Sequence, residues 1–271
     1  MKLCEKNGVK FFTFENIEKT GIVNHCFSTR VGGVSEGKLS SLNLGYNRGD
    51  NRERVSENFR RICQVNDMDH REMVFGKQIH GTKIKTVTKN DCGCGVVFES
   101  KITDFDGYIT NEPDVVLVTF HADCVPLFFV DPIKNVIGLS HSGWKGTVGK
   151  MAKVTVQEMQ KVFGCNPQNI VAAIGPSIGG CCFQVDKPVA DEFMSEMIFA
   201  SKYICNDESS EGKFKIDLWG VNRELMIEAG ILPENIEVTN YCTMCHDDLF
   251  YSHRKMGEER GSLAAFLSLK S

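Results

Sequence analysis

The chain is dense in short apolar runs that are rich in β-branched and aromatic residues. Runs of this kind, bounded by Gly, Asn, Asp or Pro, predict β-strands. The predicted strands are 9–14, 22–28, 73–78, 83–88, 108–110, 115–120, 127–130, 136–140, 170–174, 236–239 and 263–267. The density of strands in the middle of the chain indicates a fold built around β-sheet.

Four other segments have the apolar spacing of an amphipathic helix. The first begins after Asp50 or Asn51, either of which can cap it, and carries Val55, Phe59 and Ile62 on one face. The other predicted helices are 148–163, 188–199 and 218–229. Helices and strands mix without strict alternation, so we expect an α+β fold with layered mixed sheets flanked by helices. No linker or internal repeat divides residues 1–271, which predicts a single domain.

Composition restricts the class of protein. Hydrophobic residues make up 42% of the chain and charged residues 24%, as in an ordinary globular protein. The net charge of −4 argues against nucleic acid as a partner. The most apolar stretch, 115–130, contains His121, Asp123 and Pro126, which argues against a membrane span. The first residues lack the apolar run of a signal peptide, so we expect a cytoplasmic protein whose twelve cysteines are reduced.

Reactive side chains lie at the ends of three predicted strands. His80, Cys124 and His141 fall in the segments 78–81, 120–126 and 139–146. Two imidazoles and a thiolate suit a zinc ion with an open fourth position. They also suit a metal-free nucleophile, in which a histidine lowers the pKa of the thiol. Spacing along the chain does not join the three residues, and it is equally compatible with a core thiol and two histidines at strand ends.

Other polar residues have weaker signals. Arg30 and Asn43 lie in a loop rich in Gly, Ser and Asn, where Arg30 is able to contact a phosphate or carboxylate. Arg254 follows the aromatic pair Phe250-Tyr251, an arrangement suited to stacking a base and holding an anion, although an edge strand with a charged end explains the segment as well. Asp106, next to Gly107, is a candidate general acid or base, although a plain turn explains this pair equally well.

The segment 242–246 contains a Cys-x-x-Cys-His pattern. This string also marks covalent haem attachment, but without an export signal we interpret the match as coincidence. Cys242 and Cys245 also have the spacing of a redox dithiol or of half a zinc site. The second half is not evident, because the adjacent pair Cys181-Cys182 lacks the usual two-residue gap, and the role of Cys242 and Cys245 stays open.

Eight short motifs follow one another in a defined order. They are Ser28-Thr29-Arg30-x-Gly-Gly-Val-Ser, Ser-Leu-Asn43-Leu-Gly, Gln-x-His80-Gly, Asp106-Gly, Ala-Asp123-Cys124-x-Pro, His141-Ser-Gly-Trp-Lys145-Gly, Gly-Pro-Ser-Ile-Gly and Phe-Tyr-Ser-His-Arg254. In this order the chain resembles the YfiH-type family, from near its start to its end. Members of that family are described as purine nucleoside phosphorylases and, under an older name, as multicopper polyphenol oxidases of laccase type.

The resemblance implies a zinc-dependent enzyme whose metal ligands are His80, Cys124 and His141. It implies phosphorolysis of adenosine, inosine and methylthioadenosine to the free base and a ribose 1-phosphate, with adenosine deamination at the same site. The implied partners are a purine nucleoside and phosphate, and we expect a monomer or small homo-oligomer. The implied fold is layered α+β and is shared with some cysteine-dependent toxin deamidases. Asp123 and Asp106 are the candidates for proton transfer.

Within this resemblance, the candidates for substrate or phosphate binding are Arg30, Asn43, Lys145 and Arg254. Lys145 stands where arginine is common in the family, and it keeps the charge but loses the planar fork. His253 likewise replaces a common aromatic residue.

Besides a non-enzymatic metal-binding or partner-binding module, two alternative activities remain at the sequence level. One is a metal-independent cysteine hydrolase or amidase that uses Cys124 and His141. The other is a copper-binding polyphenol oxidase. A full laccase needs a histidine-rich trinuclear copper cluster besides its blue-copper site, and seven scattered histidines without a His-x-His pair do not supply it. Zinc is therefore favoured over copper.

Overall fold

The computed structural model describes residues 1–98 and 100–271, and this part of the chain contains fifteen strands and seven α-helices. The strands are β1 (Lys2–Lys6), β2 (Val9–Thr13), β3 (Val23–Ser28), β4 (Met73–Val74), β5 (Ile84–Thr86), β6 (Gly107–Thr110), β7 (Val116–His121), β8 (Val125–Asp131), β9 (Val136–Ser142), β10 (Val171–Ile174), β11 (Gln184–Asp186), β12 (Ile204–Asn206), β13 (Lys213–Ile216), β14 (Ile236–Val238) and β15 (Leu263–Leu269). The helices are α1 (Glu15–Glu18), α2 (Arg52–Val65), α3 (Trp144–Val148), α4 (Met151–Phe163), α5 (Lys187–Glu196), α6 (Leu218–Glu228) and α7 (His253–Met256). None of these helices is both long and apolar enough to cross a membrane.

Two six-stranded sheets form the centre of the fold. The first has the order β1-β2-β3-β15-β7-β4, and only its edge pair, β4 with β7, is parallel. The second has the order β14-β10-β8-β9-β6-β5, with parallel pairs at both edges. A third, antiparallel sheet of three strands, β11-β13-β12, shares no strand with the two large sheets. The expected α+β class with layered mixed sheets is confirmed.

Alternating side chains on the strands pack the two large sheets face to face. Leu117 of the first sheet and Phe128 of the second belong to one buried layer between them. On the outer face of the first sheet, Val118 packs in a cluster with Phe59 of α2. On the outer face of the second, Phe129 packs in a cluster with Val156 of α4. Because both large sheets share one buried apolar layer, we propose that residues 1–271 fold as one domain.

The structure corrects several predicted boundaries. The predicted helix 148–163 begins only at Met151, as α4, because Lys150 adopts a left-handed backbone conformation, with φ of 62°, that a continuous helix excludes. Val148 instead ends the separate short helix α3. The predicted strand 73–78 is reduced to β4, since the residues after Val74 bond to loops instead of a neighbouring strand. Helix α5 ends at Glu196, before the predicted residue 199. Four strands were not predicted, because their short sequences are mostly exposed or half-buried and contain no apolar run: β1, β11, β12 and β13.

Candidate metal centre

The chain crosses from one large sheet to the other beside the predicted site. Strand β7 ends at His121 in the first sheet and β8 begins at Val125 in the second, so Cys124 lies at the end of a three-residue crossing. Within that crossing Asp123 has a φ of 85°, which makes the turn tight. The segment from β4 to β5 makes a second crossing and carries His80. His141 lies on β9, directly opposite Pro126 of β8. These connections bring the three side chains to one place.

The ligand atoms of His80, Cys124 and His141 all lie within 4.8 Å of one another. The two imidazole rings are 4.9 Å apart between centroids and stand nearly perpendicular, at 82°. His141 is buried, Cys124 is half-buried and His80 is exposed, so the cluster opens to solvent on the His80 side. Gly143 faces the cluster, and a Cβ at that position would come within 3.1 Å of both Cys124 Sγ and His80 Cδ2.

One buried carboxylate, that of Asp106, supports both histidines. Its Oδ1 accepts hydrogen bonds from His141 Nδ1 and from the backbone N–H of His80, both at 2.9 Å. Its Oδ2 accepts from the backbone N–H of Gly81 at 2.8 Å. The carboxylate thereby holds His80, whose φ is 61°, in the left-handed region that such a residue seldom adopts. With Asp106 on Nδ1, the Nε2 of His141 is left to face the cluster.

Charge stabilises the thiolate of Cys124 in the metal-free protein. Burial alone would raise its pKa, but the positive charge of His141 and hydrogen bonds with His141 and His80 lower it to about 6. Burial would lower the pKa of His141, yet the Cys124 thiolate and the hydrogen bond to Asp106 raise it to about 9. Burial likewise opposes ionisation of Asp106, but His141 and the backbone N–H donors lower its pKa. The metal-free cluster is therefore a thiolate–imidazolium pair held by a carboxylate.

His121, to which the sequence analysis assigns no role, contacts the backbone of Cys124. Its ring lies 5.3 Å from that of His141. Its Nδ1 is 3.0 Å from the carbonyl oxygen of Cys124, and its Nε2 is 2.8 Å from Thr119 Oγ1. Burial, and then the charge of His141, lower the pKa of His121 well below its ordinary value, so this imidazole is neutral. Its position at the end of β7 was the only available signal.

Asp123 points toward the C-terminal part of the chain. Its Oδ1 accepts a hydrogen bond from Thr243 Oγ1 at 2.6 Å. Its Oδ2 accepts from Ser252 Oγ at 3.1 Å and from the backbone N–H of Arg254 at 2.7 Å. Both oxygens are thus engaged in holding the segment 243–254. A proton-transfer role for Asp123 stays a prediction.

Arg30 and Asn43 are bonded both to neighbouring loop residues and to the C-terminal part of the chain. The guanidinium of Arg30 donates to the carbonyls of Ser40 and Asp247, both at 3.0 Å, and lies over the ring of Tyr251 at 4.6 Å. Asn43 is fully buried, and its amide bonds to Asp50 Oδ2 and to the backbone N–H of Ser262, both at 2.9 Å. These contacts occupy part of the Arg30 guanidinium and both ends of the Asn43 amide, and the predicted binding of substrate or phosphate by the two residues stays a prediction.

Lys145 and Arg254 are the exposed members of the predicted set. Lys145 lies on α3 with its Nζ 5.6 Å from the centre of the Trp144 ring. Arg254 Nη1 donates to the carbonyls of Gln184 at 3.0 Å and Cys182 at 3.3 Å. Neither residue is bonded to the cluster of His80, Cys124 and His141 in the described structure.

Arg260 is a cation that sequence reasoning missed. Within the described residues, its buried Nε has no hydrogen-bond partner. Burial, and then the charge of neighbouring Arg48, lower the pKa of Arg260, whereas the charges of Cys124 and Asp123 raise it. Arg260 lies outside the eight sequence motifs, and its proximity to Cys124 is visible only in the folded structure. Two neighbouring arginines, one with a free buried donor, are typical of a place that receives an anion.

The fold and site together define a class: layered α+β proteins with a histidine–cysteine–histidine centre of the metal-binding type. The chain matches the family described as "Multi-copper polyphenol oxidoreductase laccase" over residues 24–270, and it belongs to that family. The resemblance to YfiH-type proteins is confirmed.

Individual relatives agree with this assignment. The chain is 36% identical over 245 residues to "Purine nucleoside phosphorylase YlmD" of Bacillus subtilis, an alignment that covers 90% of this chain and 87% of the relative. It is 30% identical over 237 residues to "Adenosine deaminase RL5" of an unknown prokaryotic organism, covering 87% and 90% of the two chains. The crystal structure of Bacillus licheniformis hypothetical protein YfiH superimposes with a TM-score of 0.91 at 33% identity, covering 99% of each chain.

Proposed function

We propose that the protein is a zinc-dependent purine nucleoside phosphorylase that also deaminates adenosine. The observation that carries the proposal is the convergence of His80, Cys124 and His141 within 4.8 Å. It gains support from the relatives, of which one is named a purine nucleoside phosphorylase and another an adenosine deaminase. The proposed substrates are adenosine, inosine and methylthioadenosine, each with phosphate.

The donor set fits zinc. Two imidazole nitrogens and one thiolate are ligands that zinc takes in catalytic sites, where three protein ligands leave a fourth position open. Gly143 leaves that side of the cluster unfilled, since any larger side chain would press on Cys124 and His80. When bound there, zinc supplies Lewis-acid chemistry. The same donors also suit one copper ion with a weak further ligand, so metal analysis has to separate the two.

The residues around the cluster fix its protonation. Asp106 accepts the Nδ1 proton of His141 and so fixes the tautomer and the ring orientation. It also positions His80 through the backbone. His121, neutral and buried, bonds to the carbonyl of Cys124 and restrains the thiol from the other side. These contacts keep the three ligands in place without binding energy from substrate.

In phosphorolysis, a phosphate oxygen bonds to C1′ of the ribose while the bond from C1′ to the purine nitrogen breaks. The electron pair leaves with the purine, which then takes up a proton. We propose that Arg260, with its free Nε, and its neighbour Arg48 hold the phosphate and offset its charge. Arg30, Lys145 and Arg254 stay in the proposal as further candidates. In deamination, water adds at C6 of adenine and ammonia leaves, with a carboxylate moving the proton.

The test combines metal analysis with a phosphate-dependent assay. Purified protein with one zinc ion at His80, Cys124 and His141 is expected to convert adenosine and phosphate to adenine and ribose 1-phosphate. It is also expected to convert adenosine alone to inosine. The Cys124→Ala variant is expected to lose both activities, whereas Cys205→Ser, a change at an exposed cysteine, keeps them. Zinc-loaded protein that leaves adenosine, inosine and methylthioadenosine unchanged would refute the proposal.

A second candidate function rests on the chain of side-chain contacts from Cys124 to His141 and from His141 to Asp106. A thiol with a lowered pKa, a histidine and a carboxylate on its far nitrogen are the parts of a cysteine hydrolase or amidase. This candidate predicts amide or ester cleavage by metal-free protein, abolished by alkylation of Cys124. The zinc-dependent enzyme instead loses activity when a chelator removes the metal and regains it when zinc is returned.

A further inference from the structure

Four cysteines converge away from the site described above. Cys181 and Cys182 lie in the turn before β11, and Cys242 and Cys245 lie in the turn after β14. Their four sulfur atoms all lie within 4.8 Å of one another. The Sγ of Cys245 is 3.8 Å from that of Cys181 and 3.4 Å from that of Cys182. Four thiolates around zinc, with bonds of about 2.3 Å, place the sulfurs about 3.8 Å apart.

The backbone around these sulfurs also forms two closely packed turns with an N–H group directed at one sulfur, as expected at a structural metal site. The N–H of Gly179 donates to Cys242 Sγ at 3.3 Å, a contact that stabilises a thiolate. A Cβ on Gly179 would lie 3.3 Å from Cys181 Sγ and from Cys242 Cβ, so a glycine allows the two turns to approach closely. The N–H of Thr243 donates to the carbonyl of Ser177 at 3.0 Å and joins the turns.

We propose that Cys181, Cys182, Cys242 and Cys245 bind one zinc ion as a structural site. The Cys242-x-x-Cys245 turn supplies one pair of ligands in the spacing that structural zinc sites use. The adjacent pair Cys181-Cys182 supplies the other, which explains why no second Cys-x-x-Cys half is visible in the sequence. A set of four thiolates leaves no position for water or substrate, so the site has no catalytic function of its own.

The position of this site indicates what it stabilises. Thr243 lies between Cys242 and Cys245, and its Oγ1 donates a hydrogen bond to Asp123 Oδ1 at 2.6 Å. Asp123 directly precedes Cys124. Arg254 donates to the carbonyl of Cys182 at 3.3 Å, which places a positive charge beside the four thiolates. The four-cysteine site thus fastens the segment 242–254 to the crossing that carries Cys124. This inference does not depend on the proposed reaction, because it concerns metal content and not turnover.

The experiment counts zinc by elemental analysis in protein purified without added chelator. Wild type is expected to contain about two zinc ions per chain, and Cys124→Ala about one. The double variant Cys242→Ser/Cys245→Ser is expected to lose about one zinc ion, whereas Cys205→Ser, which alters an exposed cysteine outside the cluster, loses none. Loss of the second zinc in the double variant with retention in Cys205→Ser supports the proposal.

X-ray absorption at the zinc edge on Cys124→Ala protein provides a readout that needs no variant of the four cysteines. Sulfur-only coordination of the remaining zinc supports the site even where the double variant fails to fold. Zinc with nitrogen ligands only, absence of zinc from Cys124→Ala, a disulfide among the four cysteines, or a different metal there would overturn it. The nucleoside assay on the same samples separates the two proposals, since activity without a second zinc refutes only this one.

Discussion

The two cysteine-containing clusters differ in how they are supported. At His80, Cys124 and His141, a buried carboxylate bonds to both histidines, and one ligand is exposed to solvent. At the four cysteines, the support comes from backbone N–H groups and a close glycine. The first cluster has three ligands of mixed chemistry and the second has four alike. An incomplete set held by charge suits reaction, whereas a complete set held by the backbone suits structural stability.

Reactivity toward an alkylating reagent gives the largest expected difference between the clusters. In metal-free protein the pKa of Cys124 is lowered to about 6, whereas burial raises that of Cys181 to about 11. Only thiolates react, and the lower nucleophilicity of a less basic thiolate offsets part of this advantage. We expect Cys124 to react with iodoacetamide at pH 6 roughly 100-fold faster than Cys181.

Mass mapping of the labelled peptides measures both rates, with exposed Cys205 as the internal reference for reagent activity. Because the pKa of Cys124 is lowered, its rate should be constant above about pH 6 and fall below that value. A rate for Cys124 that keeps rising with pH until about 8.5, as for an ordinary thiol, would contradict the ion pair with His141.

Replacing the supporting carboxylate should separate the clusters. Asp106→Asn removes the charge that stabilises protonated His141 and disturbs the hydrogen bonds to His80 and Gly81. We expect turnover and zinc affinity at the first cluster to fall about 10- to 100-fold. Zinc at the four cysteines should be retained. Asp104→Asn, a change at an exposed carboxylate two residues earlier, is the control. Equal effects of the two variants would show that Asp106 has no special role.

The hydrogen bond between Thr243 and Asp123 is one of the links between the clusters. Thr243→Val keeps the shape of the buried side chain but leaves Asp123 Oδ1 without that donor. We expect the free energy of unfolding to fall by about 1 kcal/mol, measured by urea denaturation. Thr86→Val, an exposed position on β5, should have no such effect. If Thr243→Val leaves both stability and turnover unchanged, the two clusters are not coupled through this bond.

The smallest expected effect is on zinc affinity, when a methyl group is added at Gly143 beside Cys124 and His80. Gly143 has an extended backbone, with φ of −70°, that alanine adopts without strain, so Gly143→Ala adds only the steric contact with Cys124 and His80. Since these neighbours need to shift by only a few tenths of an ångström, we expect zinc to bind about threefold more weakly. In Gly146→Ala the new Cβ meets its nearest atoms at 3.5 Å, so competition titration should show no change.

The sequence predicted the α+β class and every strand of the two large sheets except β1, because burial leaves apolar runs that are visible in one dimension. The small sheet of β11, β12 and β13 was missed because its strands are short and mostly exposed or half-buried. Ordered motifs also identified His80, Cys124 and His141, although their spacing did not. The second half of the four-cysteine cluster was missed, because Cys181 and Cys182 meet Cys245 only through turns from different parts of the chain. Arg260 was missed for the same reason, since nothing in its local sequence indicates that its Nε lies buried without a partner.

Metal binding at His80, Cys124 and His141, as proposed above, would couple to folding through the crossings between the two large sheets. His80 and Cys124 lie on separate segments that connect the sheets, and His141 lies within the second sheet. No single hairpin contains all three residues, so an ion can bind all of them only after both sheets have assembled. Metal that binds only the assembled form shifts the folding equilibrium toward it by mass action. Limited metal supply would therefore reduce the amount of folded protein as well as the number of loaded sites.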